Sequence, residues 1–90
     1  DLLKFEKGKE YKLKDTIQKL EDSRFKKNYL VEKRGEYSLR GDILDIFPSD
    51  GKHPVRLEFF DNELEEIRIF DSETQRSLEK LSSIEMYINK

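Results

Sequence analysis

Arg56, Glu58 and Phe60 alternate with Val55, Leu57 and Phe59 along one short run, so in an extended chain the two sets lie on opposite faces. A cation, an anion and an outward aromatic ring side by side do not form a reacting group. They are the composition of a protein-binding hot spot, where Arg and aromatic anchors dominate the energy. Ser38 and Arg40 alternate with Tyr37 and Leu39 and leave the core face in the same way. The plainer alternative is a sheet packed on both sides, with Phe60 beneath a helix and Arg56 and Glu58 as a surface pair of small energetic weight.

Other chemistry finds little support. The four glycines, Gly8, Gly35, Gly41 and Gly51, are scattered, and neither GxxxxGK[ST] nor GxGxxG occurs. Nucleotide hydrolysis by this chain alone is not expected. His53, the single histidine, sits beside Pro54 in a polar stretch without a nucleophile or an orienting partner, and reads as a surface-loop residue. Asp42 and Asp45 are three apart, which on a strand sends them to opposite faces; Asp45 is expected to meet a nearby cation or water. Glu63, Glu65 and Glu66 read as solvated surface.

Composition bounds the rest. A chain of 90 residues with 34% hydrophobic and 42% charged residues must close a thin core. It has no cysteine, so packing alone holds it, as in a cytoplasmic protein. No apolar run approaches the ~20 residues that span a bilayer, and no membrane partner is expected. Net charge is -2 but uneven: residues 1–40 carry 12 Lys/Arg against 8 Asp/Glu, and residues 41–90 carry 6 against 12. A nucleic-acid module using Lys26, Lys27, Lys33, Arg34 and Arg40 beside Tyr29 and Tyr37 is the alternative this asymmetry allows. The acidic second half argues against it.

The elements that must present these residues follow from periodicity. A short strand over residues 2–5 ends at Lys7-Gly8-Lys9. A helix is expected over residues 16–24, capped by Asp15 with Gln18 in the capping-box place. Residues 29–32 read as a strand that turns at Arg34-Gly35, setting Leu30 opposite Leu39 and Glu32 opposite Tyr37. Gly41 reads as a bulge or bend, and residues 43–47 as a strand ended by Pro48. A three-residue loop, Asp61-Asn62-Glu63, sets Leu57 against Ile67 and Val55 against Ile69; a two-residue loop would set Leu57 against Glu66 and lose far more burial than any turn preference returns. A polar turn at residues 72–75 and strands at 77–81 and 84–88 complete an α+β domain, strand-helix-strands, with a largely antiparallel mixed sheet and one short helix near the N-terminus.

The pieces Leu39-Arg40-Gly41-Asp42-Ile43-Leu44-Asp45-Ile46-Phe47-Pro48, Val55-Arg56-Leu57-Glu58-Phe59-Phe60-Asp61, and Phe70-Asp71 with Thr74-Gln75-Arg76-Ser77 closely resemble the UvrB-homology module of bacterial transcription-repair coupling factors. That segment is shared with the excision-repair protein UvrB, and the likeness is clearest over residues 35–77. The resemblance implies a non-catalytic module, residues 1–90, within a much larger multidomain protein, docking UvrA during transcription-coupled repair. It places the contacts on Arg40, Arg56, Glu58 and Phe60. No catalytic residue, metal or cofactor is implied in this chain; ATP and magnesium, and the partners RNA polymerase and double-stranded DNA, fall to other domains of the parent translocase. UvrB-type sequences often carry an Arg where Ser38 stands, and this departure, with the Thr74-Gln75-Arg76-Ser77 ending, favours the coupling-factor branch. On this reading Arg56→Ala and Phe60→Ala should each abolish UvrA binding and leave thermal stability nearly unchanged.

Overall fold

The computed structural model describes residues 2–88. Along them run β1 (Leu2–Glu6), α1 (Leu13–Asp22), β2 (Lys26–Lys27), β3 (Glu36–Arg40), β4 (Ile43–Ile46), β5 (Val55–Phe60), β6 (Glu63–Phe70), β7 (Ser77–Leu81) and β8 (Ser83–Tyr87). Strands β2 to β7 lie side by side in chain order in one sheet, while β1 and β8 pair separately. Every pairing is antiparallel except β2 with β3. The architecture is α+β, as the periodicity predicts.

One face of the six-stranded sheet builds the core. Tyr37, Leu44, Ile46, Val55, Leu57, Leu64 and Ile67 are buried there together with Leu20 of α1, Leu3 and Phe5 of β1, and Met86 and Ile88. Burying each aliphatic side chain of this kind contributes roughly 1.5–3 kcal/mol, which is what holds a ten-residue helix too short to persist alone.

The helix begins earlier than its sequence signals imply. Lys12 stands at the N-cap with no side-chain capping bond, and Asp15 lies inside the first turn. Gln18 does not close a capping box; its Nε2 donates to Asp22 Oδ1 at 3.0 Å. Burial of Thr16 and Leu20 sets the helix position instead, and Asp15 still favours the N-terminal end through its charge.

The hairpin expected at residues 29–39 does not form. The buried Glu36 carboxylate accepts the backbone N–H groups of Glu32 (2.8 Å) and Lys33 (3.1 Å) and the amide of Asn28 (2.7 Å), gathering residues 28–33 into a loop. A carboxylate taken out of water must find such donors, and here they come from the backbone that a strand would have used for pairing. The β3 edge is occupied by Lys26–Lys27, running parallel to it. Val31 still turns inward, into a small cluster with Phe47 and Phe70 on the sheet's other face.

Two turns refine the expected register. Gly41, at φ 59°, opens the two-residue β3–β4 turn rather than a bulge within a strand, since Arg40 pairs with Ile43. Between β5 and β6, Leu57 meets Ile67 and Val55 meets Ile69 as predicted, yet Phe60 pairs with Glu63 across a two-residue turn. A bulge opposite Glu58/Phe59 supplies the extra residue. The apolar faces stay matched, and the turn and bulge accommodate them.

Candidate docking face

Because β3, β4, β5 and β6 are neighbours, residues far apart in sequence form rows across the outer face. Ser38 lies opposite Asp45, Asp45 opposite Arg56, and Arg56 opposite Arg68. In the next row Arg40 faces Ile43, Ile43 faces Glu58, and Glu58 faces Glu66. Phe60 continues the face beyond Glu58. The structure therefore brings Arg40, Arg56, Glu58 and Phe60 onto one surface.

The centre of that surface is ionic. Arg56 grips Asp45 with two parallel bonds, Nε to Oδ1 at 2.8 Å and Nη2 to Oδ2 at 2.9 Å. Such a fork is the strongest form of this pairing. Arg40 Nη2 approaches the same carboxylate at 3.4 Å, and its Nη1 lies 3.3 Å from both the Tyr29 carbonyl and Ser38 Oγ. The guanidinium of Arg56 also sits 4.3 Å above the Phe70 ring centroid. The bond to Asp45 raises the Arg56 pKa further above its already high ordinary value, with burial acting in the opposite sense, so its charge is permanent.

Like charges stand opposite each other at Arg56/Arg68 and Glu58/Glu66, an arrangement that repels. Two contacts relieve it: Arg68 Nε is 3.4 Å from Glu58, diagonally across the strands, and 3.9 Å from Glu66 on its own strand. These half-exposed pairs contribute little stability, but they fix the sign pattern that a partner meets.

Phe60 answers the alternative raised by its pattern. No helix covers it, and it is 65% exposed, against 5% for its neighbour Phe59. Ser38, by contrast, is buried, and its hydroxyl donates to the Tyr29 carbonyl at 2.7 Å. That bond holds the 28–33 loop beside Arg40 and leaves the Tyr29 ring 80% exposed. Periodicity placed Tyr29 in a strand and so missed this second exposed ring; the buried Glu36 that shapes the loop carries no signature in the sequence.

The nucleic-acid alternative loses one of its two stacking rings. Tyr37 is 1% exposed and its hydroxyl donates to Glu21 at 2.9 Å. Burial and that bond push its pKa up to about 12. His53 lies exposed in the 49–54 loop, as expected. Among the described residues, no cluster of three or more His, Cys, Asp or Glu side chains could hold a metal ion, and no helix is long and apolar enough to cross a membrane.

A face with an exposed aromatic ring beside fixed arginines is of the kind that protein-interaction domains present. The model of the UvrB interaction domain matches residues 3–90, and the chain belongs to that family. It is 50% identical over 56 residues to the transcription-repair-coupling factor of Haemophilus influenzae, covering 62% of this chain and 5% of that protein. The Staphylococcus aureus (strain MRSA252) factor is 40% identical over 79 residues, covering 88% of this chain and 7% of that protein. UvrABC system protein B of Francisella tularensis is 41% identical over 81 residues, 89% of this chain and 12% of that protein. The chain thus spans only a small part of the curated relatives it matches.

Proposed function

We propose that this chain is the UvrA-docking module of a transcription-repair coupling factor, recruiting UvrA through Arg40, Arg56, Glu58 and Phe60. The single observation that carries the reading is the 65% exposure of Phe60 on the same face as the two arginines, in a chain of this family. Two guanidiniums around one Asp45 carboxylate leave a net positive centre, which suits an acidic group on the partner, with Phe60 as the apolar contact beside it.

On this reading residues 1–90 are one domain of a much longer cytoplasmic protein. The parent is an ATP-driven translocase whose other domains use ATP and magnesium and contact RNA polymerase and double-stranded DNA. The module itself needs no cofactor and docks without chemistry.

The test is a calorimetric titration of purified UvrA with the 90-residue chain, beside the Phe60→Ala variant. Losing an anchor of this kind costs about 2 kcal/mol or more, roughly a thirtyfold loss of affinity. Equal affinity of the folded variant and the parent chain refutes the reading.

A further inference from the structure

Asp45 is a buried carboxylate of the outer face that lies between two arginines, its side chain 1% exposed, while Arg56 retains 16% and Arg40 31%. A partner resting on this face meets the arginines and not the acid between them. Both arginines nevertheless lead back to it, Arg56 by its fork and Arg40 at 3.4 Å.

Each arginine is also held a second time. Arg56 lies over Phe70 and reaches Gln75 Oε1 at 3.4 Å; Arg40 contacts the Tyr29 carbonyl and Ser38. An arginine free in solvent samples many rotamers, and fixing it on binding costs affinity. The fork uses the Nε and Nη2 edge of Arg56, which leaves the Nη1 donors for a partner.

We propose that Asp45 is a positioning residue of the docking face, holding Arg40 and Arg56 in one arrangement so that they engage the partner as a unit. This deepens the UvrA reading and rests on it. The order of the strands makes it possible: β4 runs between β3 and β5, so its one outward carboxylate reaches an arginine on either side. If Asp45 served stability alone, its loss would lower the melting temperature and leave the affinity of the folded chain unchanged.

The experiment is a pair of double-mutant cycles read by titration with UvrA, on variants whose folding is confirmed by circular dichroism. Asp45→Asn, which keeps the shape and removes the charge, is expected to weaken binding at least about tenfold. Arg40→Ala should then cost at least about threefold less affinity in the Asp45→Asn background than in the parent chain, because the arginine is already unfixed. Phe60→Ala should cost the same in both backgrounds, since Phe60 lies in a different cross-strand row from Asp45 and Arg56 and from Arg40. Asp45→Asn binding within about twofold of the parent, while Phe60→Ala still weakens binding, overturns the positioning role and leaves the docking reading standing. Loss of any UvrA binding by the parent chain overturns the docking reading itself.

A second measurement needs no variant and covers the case in which Asp45→Asn fails to fold. In the free nitrogen-15-labelled chain, the Nε–H signal of Arg56 is expected to be dispersed and slow to exchange with water. A rapidly exchanging, averaged Arg56 signal shows an arginine that nothing fixes, and overturns the inference.

Discussion

The two faces of the six-stranded sheet use the same strands for opposite purposes. Along β5, Val55, Leu57 and Phe59 enter a closed apolar core, while Arg56, Glu58 and Phe60 form a face whose burial falls toward the β5–β6 turn and which ends there on an exposed apolar ring. On the core face every contact is interchangeable in kind and the energy is spread over many side chains. On the outer face the strongest ionic contact is the Arg56–Asp45 fork, set beside the small buried cluster of Val31, Phe47 and Phe70 and the buried Glu36 carboxylate. On the proposed reading most of the stability comes from one face and recognition from the other, and the two meet at Asp45.

That meeting point corrects one expectation. Arg56 is not a freestanding anchor whose removal leaves the fold untouched, because truncating it strands a buried carboxylate. Phe60 is the cleaner probe of binding.

Four measurements test how far the two faces are independent. The largest effect belongs to the core: Leu57→Ala, at a fully buried site facing Ile67, should lower unfolding free energy by about 2–5 kcal/mol in a urea titration, with UvrA affinity unchanged for the folded fraction. Arg56→Ala should cost about 3 kcal/mol in the same assay as well as weakening UvrA binding, and adding Asp45→Ala should restore part of that stability without restoring binding. If Arg56→Ala proves as stable as the parent, the two faces are more independent than the fork implies. Phe60→Ala should move stability by less than about 0.5 kcal/mol, in line with a solvent-facing substitution, while its loss appears in binding alone.

The fourth concerns pH. Tyr37 has its pKa raised from 10.0 to about 12 in the folded chain. Its contribution is complete below pH 10 and is lost as pH rises from there toward 12, because the unfolded chain deprotonates first. The loss is on the order of 2 kcal/mol, read as the difference between the parent and Tyr37→Phe in alkaline urea titrations. Asp71 works in the other direction and more weakly. Backbone N–H bonds from Thr74 and Glu73 hold its pKa below 3.8, so its support for the 71–76 turn is present above that range and fades on acidification through the depressed value.

Much of this was legible in the chain. The strands β5, β6 and β8, the pairing of Leu57 with Ile67 and the outward set Arg40, Arg56, Glu58 and Phe60 all follow from period-two alternation. The alternation is reliable there because a one-residue slip would expose an entire apolar set. The segment 28–35 was not legible. Tyr29, Leu30 and Val31 carry strand-forming side chains, but only Val31 finds a buried site, and the backbone donors of the loop go to Glu36.

What the sequence determined by itself was which residues share a face, since side-chain direction along a strand depends only on spacing. Which polar residues leave water depends instead on the assembled sheet. Asp45 and Arg56 stand 11 positions apart, and nothing in either local pattern marks one as buried. Burial of a carboxylate is set by the strands on both sides of it and by the loop folded over their edge, so it exists only once β3, β4 and β5 are assembled. The same assembly leaves Phe60 uncovered, and on its exposure beside the two arginines the functional reading turns.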